Sequence, residues 1–179
     1  MQRIPALDIS SAPDGSKAAL EQIKAKFGKV PNIFASIAHS PAALNTLMGM
    51  FGALEEGALA GKAQQAISLR VGQIHGCAYC TAAHTAKAKM TGMTTDETIA
   101  LRKGESDDPK LKAILNLTAA LVEKRGQVSD GEVEAARDAG LSNAEMLETL
   151  AIVVKNTFTN YMNALVQTKV DFPAVPAVD

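Results

Sequence analysis

Both cysteines of the chain and two of its three histidines fall in one short stretch, His75-Gly76-Cys77-Ala78-Tyr79-Cys80-Thr81-Ala82-Ala83-His84. A Cys-x-x-Cys pair with no competing thiol can close an intramolecular disulfide, and a histidine four residues beyond the second cysteine stands one helical turn above it. The chemistry this predicts is redox. If Cys77 opens a helix, its sulfur lies at the positive end of the macrodipole among free N–H groups, and both favour thiolate over thiol. Cys80 then shares its face, and the α-carbons of an i, i+3 pair lie roughly 5 Å apart, within the span of a disulfide. His84, at i+4 from Cys80 and i+7 from Cys77, can reach the Cys80 sulfur as a general base while the other sulfur resolves. Ala78, Ala82 and Ala83 between them are small and leave room for an oxidant or a partner disulfide.

The same residues admit other uses. Free cysteines often serve as small buried hydrophobes, but the spacing, the glycine before and the histidine after argue for chemistry. His75, Cys77, Cys80 and His84 offer four zinc ligands, yet one short helical segment does not easily wrap a metal tetrahedrally, and structural sites draw ligand pairs from separate segments. No metal and no cofactor is expected. Haem attachment needs a histidine directly after the second cysteine, where Thr81 stands. His39, just ahead of a helix cap, reads as structural or surface, and Tyr79 either lines a pocket or packs; both are pocket candidates of second rank.

The scaffold follows from composition. The chain has 179 residues, of which 47% are hydrophobic and only 4% aromatic, so the core must be aliphatic, with Ala and Met as filler. A net charge of -1 and interspersed charges give no basic patch for nucleic acid. Residues 1–15 lack the apolar run of a signal peptide, and the longest purely aliphatic stretch is about Leu150 to Val154, so a soluble, cytoplasmic protein with no membrane segment is expected. Two cysteines are too few for a secreted disulfide framework, which in a reducing compartment favours a catalytic or metal-binding pair.

Periodicity predicts helix almost everywhere between an extended arm (1–15) and an irregular tail (171–179), all in one domain. Ser16 is the expected cap of a first helix ending at Gly28, and Pro31-Asn32 opens a short second one. Ser40-Pro41 starts a third, reaching Gly57. Residues 62–75 and 78–90 carry the motif. Thr94 to Glu97, Ser129 to Glu132 and Ser142 to Glu145 form capping boxes, and Asp108-Pro109 opens another helix. No stretch alternates with period two, so the class is all-α. Gly61 to His84 and Ser142 to Leu165 share a pattern of capped start, aliphatic stretch and polar continuation that hints at duplication.

At these residues the chain resembles the carboxymuconolactone decarboxylase-like superfamily, and more closely its alkylhydroperoxidase D-like, peroxidase-related branch. The likeness is carried by Val71-x-x-Ile74-x-Gly76-Cys77-x-Tyr79-Cys80-x-x-Ala83-His84-Thr85. It extends to Gly28-x-Val30-Pro31-Asn32-Ile33-Phe34, to His39 through Leu44, and to Asn160-Tyr161-x-Asn163 with Asp171-Phe172-Pro173. It implies a compact helical bundle whose subunits assemble into trimers or hexamers, acting as a thiol-dependent peroxidase or disulfide reductase on hydroperoxides with a thiol or dithiol reductant. It also implies that Cys80 attacks the peroxide, Cys77 resolves, and His84 belongs to a proton relay. Two positions depart from that pattern: Gln65 stands where a glutamate begins the relay, and His75 where an asparagine precedes the glycine. Glutamine can orient a water or His84 but cannot pass a proton as a carboxylate does, which predicts weakened peroxidase turnover more than lost redox capacity. His75, two residues before Cys77, is a substitute base, though i, i+2 residues face different sides of a helix. Glu56 is a candidate to supply the carboxylate from a neighbouring helix. The alternatives carried forward are a redox-sensing or stress-associated oligomer of the same fold and, ranked low, a lactone decarboxylase.

Overall fold

In a computed structural model that describes residues 2–59 and 61–178, the described residues form nine α-helices and no strand. They are α1 (Asp14–Phe27), α2 (Asn32–Ile37), α3 (Pro41–Glu55), α4 (Gly61–Ile74), α5 (Ala78–Met90), α6 (Thr95–Lys103), α7 (Pro109–Glu123), α8 (Asp130–Asp138) and α9 (Asn143–Val166). The expected caps are in place. Ser40 Oγ accepts from the Ala43 amide and Asp108 from the Lys110 and Leu111 amides, while Thr94, Ser129 and Ser142 each close a reciprocal capping box.

The first helix corrects the expectation for Ser16. It begins at Asp14, whose carboxylate suits a helix N-terminus, behind Pro13 with its φ fixed at -52°. Ser16 is instead buried inside α1, where its hydroxyl donates to the Ala38 carbonyl at 2.8 Å and ties α1 to the end of α2. The arm is not wholly extended either, for Ile9–Ser11 make a 3₁₀ turn. Its Ile4, Leu7 and Ile9 pack onto the core, and Arg3 N–H donates to the Val166 carbonyl.

α4 is the central helix, packing against α5, α6, α7 and α9. The apolar core falls into two clusters, and α4 belongs to the first. One joins Ile67, Leu69 and Val71 of α4 to Leu115 of α7 and Ile152 of α9; the other joins Leu20, Ile23, Leu44 and Leu47 to Tyr79, Met162 and Val166. Cys77 packs against the second cluster. The irregular tail is tethered rather than free: Arg102 donates to the Pro176 carbonyl and Gln73 to the Val178 carbonyl. No helix among the described residues is long and apolar enough to cross a membrane.

Candidate active site

The site begins with a break in a helix. Gly76, at φ 62°, takes the left-handed conformation that ends α4, and its N–H bonds the Gln73 carbonyl at 3.0 Å. The Cys77 N–H bonds the Gly72 carbonyl at 2.9 Å, completing a Schellman motif. Cys77 is therefore both the residue just past α4 and the N-cap of α5, and its sulfur accepts the Cys80 amide at 3.3 Å. That is the placement at a helix start the sequence predicted. Gly72 lets α5 come close, since a Cβ there would already touch Cys80 Cβ and Thr81 Cγ2 at 3.4 Å.

Cys77 and Cys80 are joined as a disulfide, their α-carbons 5.3 Å apart. Cys77 is partly exposed and faces a cavity of about 330 Å³ lined by His75, Ala78, Tyr79, Asn160 and Asn163 among others. Cys80 lies behind it, 3% exposed. A second cavity of about 460 Å³, between the arm and α1–α2, shares no residue with this one.

Cys80 is not surrounded by hydrocarbon. Asn160 Nδ2 donates to its sulfur at 2.8 Å and Asn163 Nδ2 at 3.3 Å, both from α9. Neither asparagine had a role in the sequence analysis beyond marking a resemblance. The signal that could have found them is periodic: Asn156, Asn160 and Asn163, at i, i+4 and i+7, place an amide stripe on one face of the helix. Asn156, at the head of the stripe, donates to Ser68 Oγ at 3.0 Å and so ties α9 to α4.

The proposed relay partners do meet. Gln65 is buried on α4, and its Oε1 lies 3.0 Å from His84 Nδ1. An amide oxygen only accepts, so in the neutral ring Nδ1 carries the proton. Burial, reinforced by the nearby Lys155 and Lys87 charges and opposed by Asn156, pushes the His84 imidazole down to about 3. It is neutral at physiological pH. Among the described residues, hydrogen bonds reach the sulfurs from Asn160, Asn163 and the Cys80 amide, and none from His84.

The remaining candidates fall outside this core. His75 lines the cavity without a hydrogen bond to either sulfur, its ring edge-on to Tyr161 at 5.4 Å and its Nε2 3.4 Å from Thr157 Oγ1. Burial lowers its pKa. Tyr79 is buried and mainly a tie: its hydroxyl donates to Asp171 Oδ1 at 2.7 Å, accepts the Ile33 amide at 3.2 Å, and its ring meets Phe172 edge-on. Burial, and then the bond to Asp171, hold the phenol well above its ordinary pKa. His39 is exposed and holds the Pro5 carbonyl of the arm. Glu56 corrects the carboxylate expectation. It is exposed at the end of α3, and its neighbour Glu55 is the residue that pairs with Lys26 and acts electrostatically on Lys155 and Lys87.

Lys155 was not anticipated. It is 4% exposed, with its ammonium 4.9 Å from the centre of the Phe51 ring. Burial, aided by Lys87 and opposed by Glu55, brings it down to about 8.

Three comparisons bear on this geometry. Residues 41–108 match the model of the carboxymuconolactone decarboxylase family. No curated protein matches the sequence. Among solved structures, an alkylhydroperoxidase AhpD core, an uncharacterized peroxidase-related protein from Ralstonia eutropha, has TM-score 0.86 at 20% identity, covering 95% of this chain and 92% of its own. A peroxidase-related protein from a Silicibacter species gives TM-score 0.81 at 20% identity, over 94% of this chain and 92% of its own. A debrominase bound to 2,3,4-tribromopyrrole gives 0.80 at 18%, over 94% and 91%. At such identities the likeness is one of fold, and the fold is shared from end to end. The matched segment carries Gln65, both cysteines and His84; over it the chain is similar to the carboxymuconolactone decarboxylase family, and its fold is that of the alkylhydroperoxidase AhpD core.

Proposed function

We propose that the chain is a cytoplasmic thiol oxidoreductase that reduces hydroperoxides. The observation that carries this is the disulfide itself, with one sulfur open to a cavity and the other set among amide donors, in a segment whose His84 is held by Gln65. In the forward half-reaction the Cys80 thiolate attacks the outer peroxide oxygen, the O–O bond breaks, and an alkoxide or hydroxide leaves and takes up a proton. Cys80 is then a sulfenic acid. The Cys77 thiolate attacks that sulfur and expels hydroxide, which restores the disulfide described above. Two equivalents of a thiol, or one dithiol, return the two electrons.

The test is a coupled peroxide-consumption assay on wild type and Cys80→Ser. Activity in the variant is expected to fall to background, and equal rates would remove Cys80 from the mechanism. A second reading is favoured by Gln65 and the suppressed basicity of His84: a protein of the same fold whose disulfide serves as a redox sensor, turning over slowly or not at all. Sustained turnover with excess reductant excludes it. The debrominase of this fold makes a brominated pyrrole a useful comparison substrate in the same assay.

The working form we propose is a homo-oligomer, assembled through α9. Leu147, Leu150, Val154, Phe158, Tyr161 and Leu165 are 36% to 67% exposed, and their spacing puts them on one face. The stripe runs about 27 Å at 1.5 Å per residue. The charged residues of α9 are Glu145, Glu148 and the buried Lys155, so beyond Glu148 this face carries no charge with which to select a charged partner. A second copy of the same uncharged stripe complements it, and an apolar patch of this length approaches the roughly 800 Å² per partner that a stable interface buries. Light scattering after size exclusion should show an oligomer for wild type and a smaller species for Val154→Glu; a wild-type monomer would refute the assignment.

A further inference from the structure

The two sulfurs of the disulfide are not equivalent, and α9 makes the difference. Cys80 Sγ takes Asn160 Nδ2 at 2.8 Å and Asn163 Nδ2 at 3.3 Å in a buried setting. Cys77 Sγ faces the cavity, with Asn163 Nδ2 at 4.0 Å and the Cys80 amide at 3.3 Å. Disulfide sulfur is a weak acceptor, so two buried amides directed at it gain little in this state. Their oxygens do no better: Asn160 Oδ1 and Asn163 Oδ1 are both buried without a hydrogen-bond partner. Amides held this way at a cost make sense if another state of the site uses them fully. A thiolate is such a state, because an anion turns both N–H contacts into charge-assisted hydrogen bonds.

We propose that Asn160 and Asn163 form a thiolate cradle that sets the direction in which the disulfide opens, with the incoming thiol attacking Cys77 and Cys80 leaving as the anion held by the two amides. This rests on the thiol oxidoreductase reading and adds to it the choice of sulfur. The reductant's thiolate attacks Cys77 Sγ from the cavity. The Cys77–Cys80 bond breaks, a bond from the reductant to Cys77 forms, and Cys80 departs with the bonding electron pair. A second thiolate then attacks the reductant's sulfur in that mixed disulfide, releasing the oxidised reductant and Cys77, which takes a proton from water at the cavity mouth. The opposite polarity has one argument in its favour, the N-terminus of α5 at Cys77. At a partly exposed position that dipole is screened by water, whereas the two donors on Cys80 are direct and buried. Leaving-group ability follows thiolate stability, so the cradled sulfur is the one that leaves.

Two measurements test this, and neither uses peroxide. In the first, the oxidised wild-type protein is treated briefly with glutathione, quenched with N-ethylmaleimide and mapped by mass spectrometry. Glutathione is expected on Cys77 and maleimide on Cys80, and the reverse labelling overturns the proposal. In the second, thiolate absorbance is titrated in Cys77→Ser, which leaves Cys80 alone, with and without Asn160→Leu or Asn163→Leu. Each added substitution is expected to move the Cys80 midpoint up by about one pH unit, tenfold in thiolate population; a midpoint unmoved by both overturns the cradle. The wild-type mapping stands even if a leucine variant fails to fold. A protein that consumes no peroxide can still pass both measurements, and one that consumes it can fail them, so the two readings fall separately.

Discussion

Two helical segments face each other across the sulfurs, and they differ in one respect: α4 and α5 are interrupted between Ile74 and Ala78, whereas α9 runs unbroken for 24 residues. The similar residue patterns of Gly61 to His84 and Ser142 to Leu165 conceal this contrast. A reactive thiol gains from a helix start, where N–H groups are unpaired, and a start needs a preceding stop. The groups that hold the other sulfur need the reverse, a fixed spacing along one face, which only an uninterrupted helix supplies. The break sets Cys77 at a helix start, and the continuous helix spaces the two amides that face Cys80.

The comparison is most sharply tested at Gln65, on the interrupted side. A carboxylate 3.0 Å from His84 Nδ1 would stabilise the imidazolium and draw the ring back from about 3 toward its ordinary range. Gln65→Glu should then raise peroxide consumption at neutral pH at least tenfold, since a positioned acid–base group contributes on the order of 10²–10⁴. An unchanged rate would take Gln65 out of the chemistry and leave it as packing.

On the continuous side the decisive residue is Lys155. It titrates at about 8 in the folded protein against an ordinary 10.5. Between those values the unfolded chain holds more protons than the folded one, so stability rises with pH across that window. The burial penalty is fully present below pH 8. Lys155→Met should therefore stabilise the protein by about 1–3 kcal/mol at pH 7, with the gain gone above pH 10.5. Urea unfolding at both pH values checks this, and a less stable variant at pH 7 would make the contact with Phe51 a net anchor. A lysine retained at such a cost also helps keep His84 neutral, because its charge opposes protonation of the ring.

The smallest effect belongs to the break. A Cβ at Gly76 meets nothing within 4 Å, so Gly76→Ala is opposed by its positive φ alone and should lose about 1 kcal/mol in thermal unfolding. A loss several times larger would mean that the turn is held by contacts beyond its backbone.

Much of this was legible in the sequence because it is local. Ser40, Thr94, Asp108, Ser129 and Ser142 cap helices through atoms within three residues of themselves, and the Cys77, Cys80 and His84 spacing fixes its own geometry once a helix is granted. Gln65 was reachable only through resemblance, since its partner is 19 residues away. Asn160, Asn163 and Lys155 were missed for a physical reason. Their roles depend on which face of α9 meets α5 and α3, which tertiary packing decides and propensity does not encode. Ser16 shows the same limit in reverse: a good capping residue found a better acceptor across the core at Ala38.

The two bonds that close the turn from Gly72 to Cys77, Gly76 N–H to the Gln73 carbonyl and Cys77 N–H to the Gly72 carbonyl, run between main-chain atoms, and the Cys77 sulfur takes the Cys80 amide. The aim of the thiol is thus inherited from peptide geometry rather than from the bulk of surrounding residues. The walls of the neighbouring chamber, Ala78 and Ala164 among them, can be recut for a larger or smaller guest while the warhead stays where it is, which makes this short loop a portable part for redesign.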